Sequence, residues 1–376
     1  MIKKFLLFII LILVFSINIY GVEPEKEILD SIQGELSDFE ATLPDDIRNI
    51  LPNDLFDGDF SSLSNGEIDH MTFIDASINS LLANLPSALG SITMILVAVI
   101  ISSIFDTMSS GLESMSLRES YNLCSSLCIS VLVFNLVGEI SINALSYMKA
   151  LCNAMNGLAP IMATIHIMGG KISTAALGNG TMMMFIALVE NIIVSFLVPI
   201  VNICLALSCV KSVSNEKNIG GISSLIRNTF ITLTVFTMMI FSFVFSFQNA
   251  LTQSADSLSM RTAKFAIGSF IPIIGPSISE ALTTVTSSIS YVKNALGVIG
   301  LVSVLLLTLP VIVSLYVHKL LLDITASLSG MIGFDKGKEI ISDASGICGF
   351  ILALSACTGI FFILALTIFI KTSIGG

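Results

Sequence analysis

The sequence contains no tryptophan, only three histidines, and charged residues at only 12% of its 376 positions. A water-facing globular surface uses about 25% charged residues, so so sparse a supply excludes an ordinary soluble domain. No basic stripe is present to neutralise phosphates, which excludes a nucleic-acid partner. His70, His166 and His318 are far apart in sequence, and neither His-Glu-x-x-His nor Cys-x-x-Cys occurs, so no metal site is expected. Gly169-Gly170-Lys171 looks like the end of a phosphate loop, but Ile172 stands where Ser or Thr is needed and Ile165 replaces the first glycine. No set of residues fills the roles of nucleophile, base and orienting acid, so no enzyme, no catalytic residue and no cofactor are expected. Without tryptophan, an aromatic belt has to be built from Tyr and Phe.

Apolar residues make up 54% of the chain and the mean hydropathy is +0.94. Six runs are long and apolar enough to cross a bilayer: Ser87–Phe105, Tyr121–Ile140, Met182–Val210, Phe230–Phe247, Leu296–Val317 and Ile347–Ile370. Leu145–Thr174 and Phe265–Ile289 are apolar enough to enter partly. The expected fold is therefore an all-α polytopic membrane protein with about six to eight membrane segments, possible re-entrant hairpins included. In the last run Gly349, Ala353, Ala356 and Gly359 form a small-residue face suited to close helix packing.

Ahead of these runs, residues 1–21 carry Lys3 and Lys4, an apolar stretch and Gly21, the pattern of a signal peptide, with an uncleaved anchor as the alternative. Residues 22–83 form an acidic segment: 15 of the 27 acidic residues fall between Val22 and Asp75. Its Leu29, Ile32 and Leu36 recur at helical spacing, which suggests a small surface-lying or docking element, or else a solvated linker. The signal places this segment outside the cytoplasm, because the Lys/Arg bias of the loops is too thin to orient the chain. Residues 84–376 then form the membrane domain. Its cysteines, Cys124 and Cys128 at i, i+4 among them, read as buried small hydrophobes.

Two segments interrupt the apolar pattern, 160–180 and 254–293. Glycine-rich backbone at membrane depth is tolerated where protein or a cavity covers it, so the pair points to a pathway or an interhelical joint, or to two loops at headgroup level. In SADSLSMRTAKFAIGSFIPIIGPSISEA, Asp256 opens a helix on which Arg261, Lys264 and Gly268 share a face. Pro272, Gly275 and Pro276 break it, and Ser277 to Glu280 has the spacing of a capping box that restarts a helix. Glu190 lies inside the third run, where an unpaired carboxylate costs about 2.5–3.5 kcal/mol. It is expected to line a conduit, to pair with Lys149, Lys171 or Arg261, or to make a structural hydrogen bond. Glu190, Asp256, Arg261, Lys264, Gly268, Pro272, Gly275, Pro276 and Glu280 are the candidate pathway or interface residues.

The stretches SADS, RTAKFAIGSFIPIIGPSISEA and VKNALGVIGL, within Ser254–Leu301, resemble the stage III sporulation protein AE family. Gly169-Gly170 with Ser173, Thr174 and Ala175 is a second, weaker match. The resemblance implies a component of the transenvelope channel, or feeding tube, of endospore-forming bacteria, in the mother-cell membrane around the forespore. It implies other stage III A proteins as partners, stage II sporulation protein Q through the complex, a membrane-lipid environment and a homo-oligomer as one option. A secondary transporter for a small solute is the alternative, though only Glu190 lies deep in a run and no clear repeat is present.

Overall fold

In the computed structural model, residues 26–51, 55–56, 70–109, 115–214, 218–270 and 275–371 are described. They form α1 (Lys26–Thr42), α2 (Asp45–Arg48), α3 (His70–Ser109), α4 (Met115–Met168), α5 (Ile172–Ser214), α6 (Asn218–Phe270), α7 (Gly275–Met331) and α8 (Asp335–Lys371). Among the described residues the secondary structure is helical. The proposed signal peptide lies outside them.

Six helices, α3 to α8, are long and apolar enough to cross a membrane. They match the six runs, but most exceed one crossing by far. The 54 residues of α4 extend about 80 Å at 1.5 Å per residue, whereas a bilayer core needs about 20 residues. The helices continue through the charged residues at which the apolar runs stop.

The chain reverses at two turns of one design. At the end of α4, Gly170 has φ +72°. The N–H of Gly170 donates to the Ile167 carbonyl at 2.9 Å and that of Lys171 to the His166 carbonyl at 2.8 Å. At the end of α7, Gly333 has φ +88°. Its N–H donates to Gly330, and the N–H of Phe334 to Ser329 at 3.0 Å. Both are Schellman turns, in which only glycine enters the left-handed region cheaply while the last helical carbonyls are satisfied.

The centre of the bundle is the antiparallel pair α7–α8. Gly297 faces Ile370, Gly300 faces Leu366, Gly359 faces Thr308 and Gly349 faces Lys319. One register thus holds over almost the whole pair. A Cβ on Gly359 would sit 2.6 Å from Thr308 Cγ2, and one on Gly297 would sit 2.3 Å from Ile370 Cγ1. The small-residue face read from the last run is this contact. α4 crosses the same layer, where the Tyr147 hydroxyl donates to Thr308 Oγ1 at 3.0 Å. On the α8 side, Phe185 of α5 stacks on Phe361 with ring centroids 3.6 Å apart.

The acidic segment supplies α1. Ile28, Ile32, Leu36, Phe39 and Leu43 are buried at spacings of 4, 4, 3 and 4. α1 lies antiparallel along the last turns of α4: Ser31 meets Met168, Thr164 donates to Glu35 at 2.8 Å, and Thr42 and Phe39 meet Gly157. Phe39 is fully buried. Phe39→Ala is expected to cost about 3–5 kcal/mol of local stability and to make α1 selectively sensitive to protease, while α7–α8 stays protected.

Candidate functional site

The α4–α5 turn, α1 and Asp256 of α6 share one end of the bundle. The end of α5, the start of α6 and the start of α8 share the other. Each end carries a layer of polar and charged side chains.

At the second end the charges are paired. Lys211 of α5 lies 3.3 Å from Asp343 of α8 and 3.6 Å from Glu339, and the Ser208 hydroxyl donates to Asp343 at 3.1 Å. Arg227 of α6 donates to the Asp343 carbonyl at 3.5 Å. Lys319 pairs with Asp323 at 2.6 Å within α7, and the Ser345 hydroxyl donates to Asp323. This layer clamps α5, α6 and α8, with α7 joined through Asp323 and Ser345.

The first end is organised differently, and its centre is Asp256 of α6. Lys171 occupies the position before α5, where a Ser, Thr, Asp or Asn would cap the helix; a lysine cannot. Asp256 takes over from 82 residues away. Its Oδ2 accepts the N–H of Thr174 at 2.9 Å and the Thr174 hydroxyl at 2.7 Å, and its Oδ1 accepts the N–H of Ser173 at 3.2 Å. The carboxylate thus neutralises the positive end of α5 from a neighbouring helix. The SADS and Gly-Gly-Lys-Ile-Ser-Thr segments are one joint.

Around this cap lie buried cationic groups. Lys171 and Lys293 are each 3% exposed, His166 and Asp256 each 5%. Lys293 of α7 sits 5.9 Å from the centre of the Phe369 ring of α8, which His166 meets edge-on at 5.0 Å. Neither Lys171 Nζ nor His166 Nδ1 has a hydrogen-bond partner among the described residues. Burial holds the Lys171 ammonium below the ordinary lysine range, and Asp256 only partly offsets this. A cavity of about 30 Å³ beneath His166, Thr174, Asn179 and Phe369 has room for about one water. Asp256 accepts three hydrogen bonds from the start of α5, so the layer is a structural joint that ties α6 to α5 beside the buried Lys171 and Lys293. Lys171→Met is expected to leave stability unchanged or raise it by about 1 kcal/mol, because it removes an unpartnered buried cation. A loss larger than that in thermal unfolding would contradict the assignment.

On α7, Lys293 and Lys319 are 26 residues apart, about 39 Å along the helix axis. On α6, Arg227 and Asp256 are 29 residues apart, about 44 Å. A bilayer with its headgroups is about 40–45 Å thick, so the two layers have the spacing of the two membrane faces.

The other candidates are distributed unevenly. Arg261 is exposed on α6, beyond the joint. Lys264, Gly268, Gly275, Pro276 and Glu280 lie in α6 or α7, but their side chains are outside the described residues, and Pro272 lies outside them altogether. The helix interruption expected from Pro272 falls on residues 271–274, outside the described residues. α7 restarts two residues before Ser277, with Pro276 in the first turn, where its missing N–H costs nothing. Glu190 is half-buried on α5 and makes no ion pair with Lys149, Lys171 or Arg261. Lys171 is 19 residues away along the same helix, about 28 Å. Glu190→Gln is therefore expected to change unfolding stability by less than about 0.5 kcal/mol. His166, Lys171 and Lys293 are absent from the sequence-derived set, because each lies next to an apolar run and reads there as a loop or edge residue.

Six long apolar helices, joined by turns at two charged layers, define a polytopic helical membrane protein. Residues 57–373 match the family described as Stage III sporulation protein AE (spore_III_AE), and the chain belongs to that family. It is 27% identical over 143 residues to Stage III sporulation protein AE of Bacillus subtilis (strain 168), a stretch covering 38% of this chain and 36% of that protein. The aligned region is thus about a third of the length of that relative. No solved structure matches the chain.

Proposed function

We infer that the chain is a non-enzymatic subunit of the sporulation transenvelope channel, in the mother-cell membrane around the forespore, and that it forms part of the export core. Its partners in this reading are other stage III A proteins and, through the complex, stage II sporulation protein Q, with the acidic N-terminal segment facing outside the cytoplasm. The reading rests first on family membership. The structural observation that favours it over a secondary transporter is the continuity of the helices. Transporter sites are commonly built from helices unwound near the bilayer midplane. Here the turns among the described residues, Gly169–Lys171 and Ile332–Phe334, fall between helices, and α4, α5, α7 and α8 each run unbroken through their candidate spans.

A second feature fits an assembly subunit. The candidate span of α7 is 78% buried within the chain, whereas that of α6 is 17% buried. Met239, Phe243 and Phe247 are among its exposed large side chains. A rigid centre with a thinly covered flank leaves room for lipid and neighbouring subunits. The test is a late forespore reporter in a spore former lacking the chain. The expected result is a silent reporter that the restored gene switches on again; an unaffected reporter contradicts the reading.

A further inference from the structure

A crevice between α3, α4 and α7 carries a second polar site, separate from the Asp256 joint. It has a volume of about 300 Å³, the lower end of the range for small-molecule sites. Its polar wall is Ser91 of α3, Glu139 and Asn143 of α4, and Ser314 and His318 of α7. The spacing explains the wall: Glu139 and Asn143 are one turn apart, and Pro310, Ser314 and His318 follow each other at i, i+4 and i+8. Pro310 carries no N–H and cannot close the helical bond to the carbonyl of Leu306, which allows α7 to bend away at this point.

The wall combines one carboxylate with several neutral groups that can accept a hydrogen bond. His318 Nδ1 lies 2.8 Å from the Ser314 carbonyl, and a carbonyl can only accept, so Nδ1 carries a proton and Nε2 is the ring nitrogen left to face a ligand. Glu139 adds a carboxylate, Asn143 an amide oxygen, and the two serines add hydroxyl oxygens. No lysine or arginine lines the crevice. The nearest cation in sequence, Lys319, is tied to Asp323 and lies against Gly349 of α8. Glu139 and Asn143 are exposed at the mouth, and Ser91, Ser314 and His318 are partly covered. The site lies at the level of the paired charged layer, where water reaches a membrane protein.

We propose that this crevice binds a primary ammonium group, held by the Glu139 carboxylate with Asn143, the two serines and His318 Nε2 as further acceptors. An ammonium presents three donors and one positive charge, which this set of acceptors matches. Among the described residues no group of three or more His, Cys, Asp or Glu could hold a metal. The ammonium comes either from a diffusible amine or from a lysine side chain of a neighbouring membrane segment. The proposal is independent of the channel reading.

The test is titration calorimetry on the full chain in lipid nanodiscs. The probes are butylammonium and a linear diamine, together with a lysine-bearing transmembrane peptide and the same peptide with leucine in place of lysine. The expected result is saturable binding of at least one amine probe, weakened about tenfold or more by Glu139→Gln and largely restored by Glu139→Asp. Tighter binding of the soluble amines assigns a diffusible ligand, and tighter binding of the lysine peptide over its leucine control assigns a partner segment. Absence of binding by every probe overturns the proposal, as does binding that Glu139→Gln leaves unchanged. If Glu139→Gln does not fold, as judged by helical content and melting, the double variant Ser314→Ala/His318→Phe takes its place with the same two outcomes.

Discussion

Asp256→Ala is expected to destabilise the bundle by about 3–5 kcal/mol. The change leaves the N–H groups of Ser173 and Thr174 and the Thr174 hydroxyl without their acceptor. It also removes the carboxylate from a layer that buries Lys171 and Lys293. Asp256→Asn keeps an acceptor oxygen and is a good cap in its own right, but it loses the charge, so about half the effect should remain. The two contributions separate in a double-mutant cycle with Lys171→Met. Asp256→Ala should cost less in the Lys171→Met background, because the attraction between Asp256 and the buried Lys171 ammonium is already gone there. Equal costs in both backgrounds would assign Asp256 to capping alone. The readout is thermal or denaturant unfolding of the purified chain in detergent.

The second large effect is expected at Gly359. Its substitution by Ala places a methyl 2.6 Å from Thr308 Cγ2, and Thr308 cannot easily yield. It is buried, donates to the Val304 carbonyl at 2.6 Å and accepts from Tyr147 at 3.0 Å. Overpacking of this kind costs about 1–3 kcal/mol, and loss of the Tyr147 bond adds about 1 kcal/mol. Gly359→Leu should separate α7 from α8 and abolish folding. A Thr308→Ser second change removes Cγ2 while keeping the hydroxyl, and should recover part of the Gly359→Ala loss. Gly34, with nothing near its Cβ position on exposed helix α1, is the control: Gly34→Ala should be neutral or stabilising by up to about 1 kcal/mol.

The six crossings were legible because each is a long apolar run. Helix length was not legible. Asp256, Lys293 and Lys171 lie outside the six long apolar runs, whereas backbone bonding continues through the first two and ends only at Gly170. A charge at the edge of a run therefore reads as loop, although three of these side chains are buried. Asp256 stood out because charge is scarce in this chain. Its partners Ser173 and Thr174 did not, because pairing them requires the antiparallel register of α5 and α6. Glu190 drew attention by its depth, yet α5 turns it to a half-covered face with no cation beside it. Glu139 went unnoticed for the opposite reason: it stands next to last in its apolar run, and its companions Ser314 and His318 arrive from a helix more than 170 residues away.

In the proposed role this chain works as a subunit of a larger membrane assembly. The most direct measurement is the mass of the native complex extracted from sporulating cells in mild detergent, with crosslinking through a cysteine introduced at Arg261, which is exposed on α6 beyond the joint. The predicted result is a particle several times larger than the 40.1 kDa chain, in which Arg261→Cys crosslinks to other stage III A proteins. A monomer that by itself drives ion-coupled solute uptake in liposomes would contradict it.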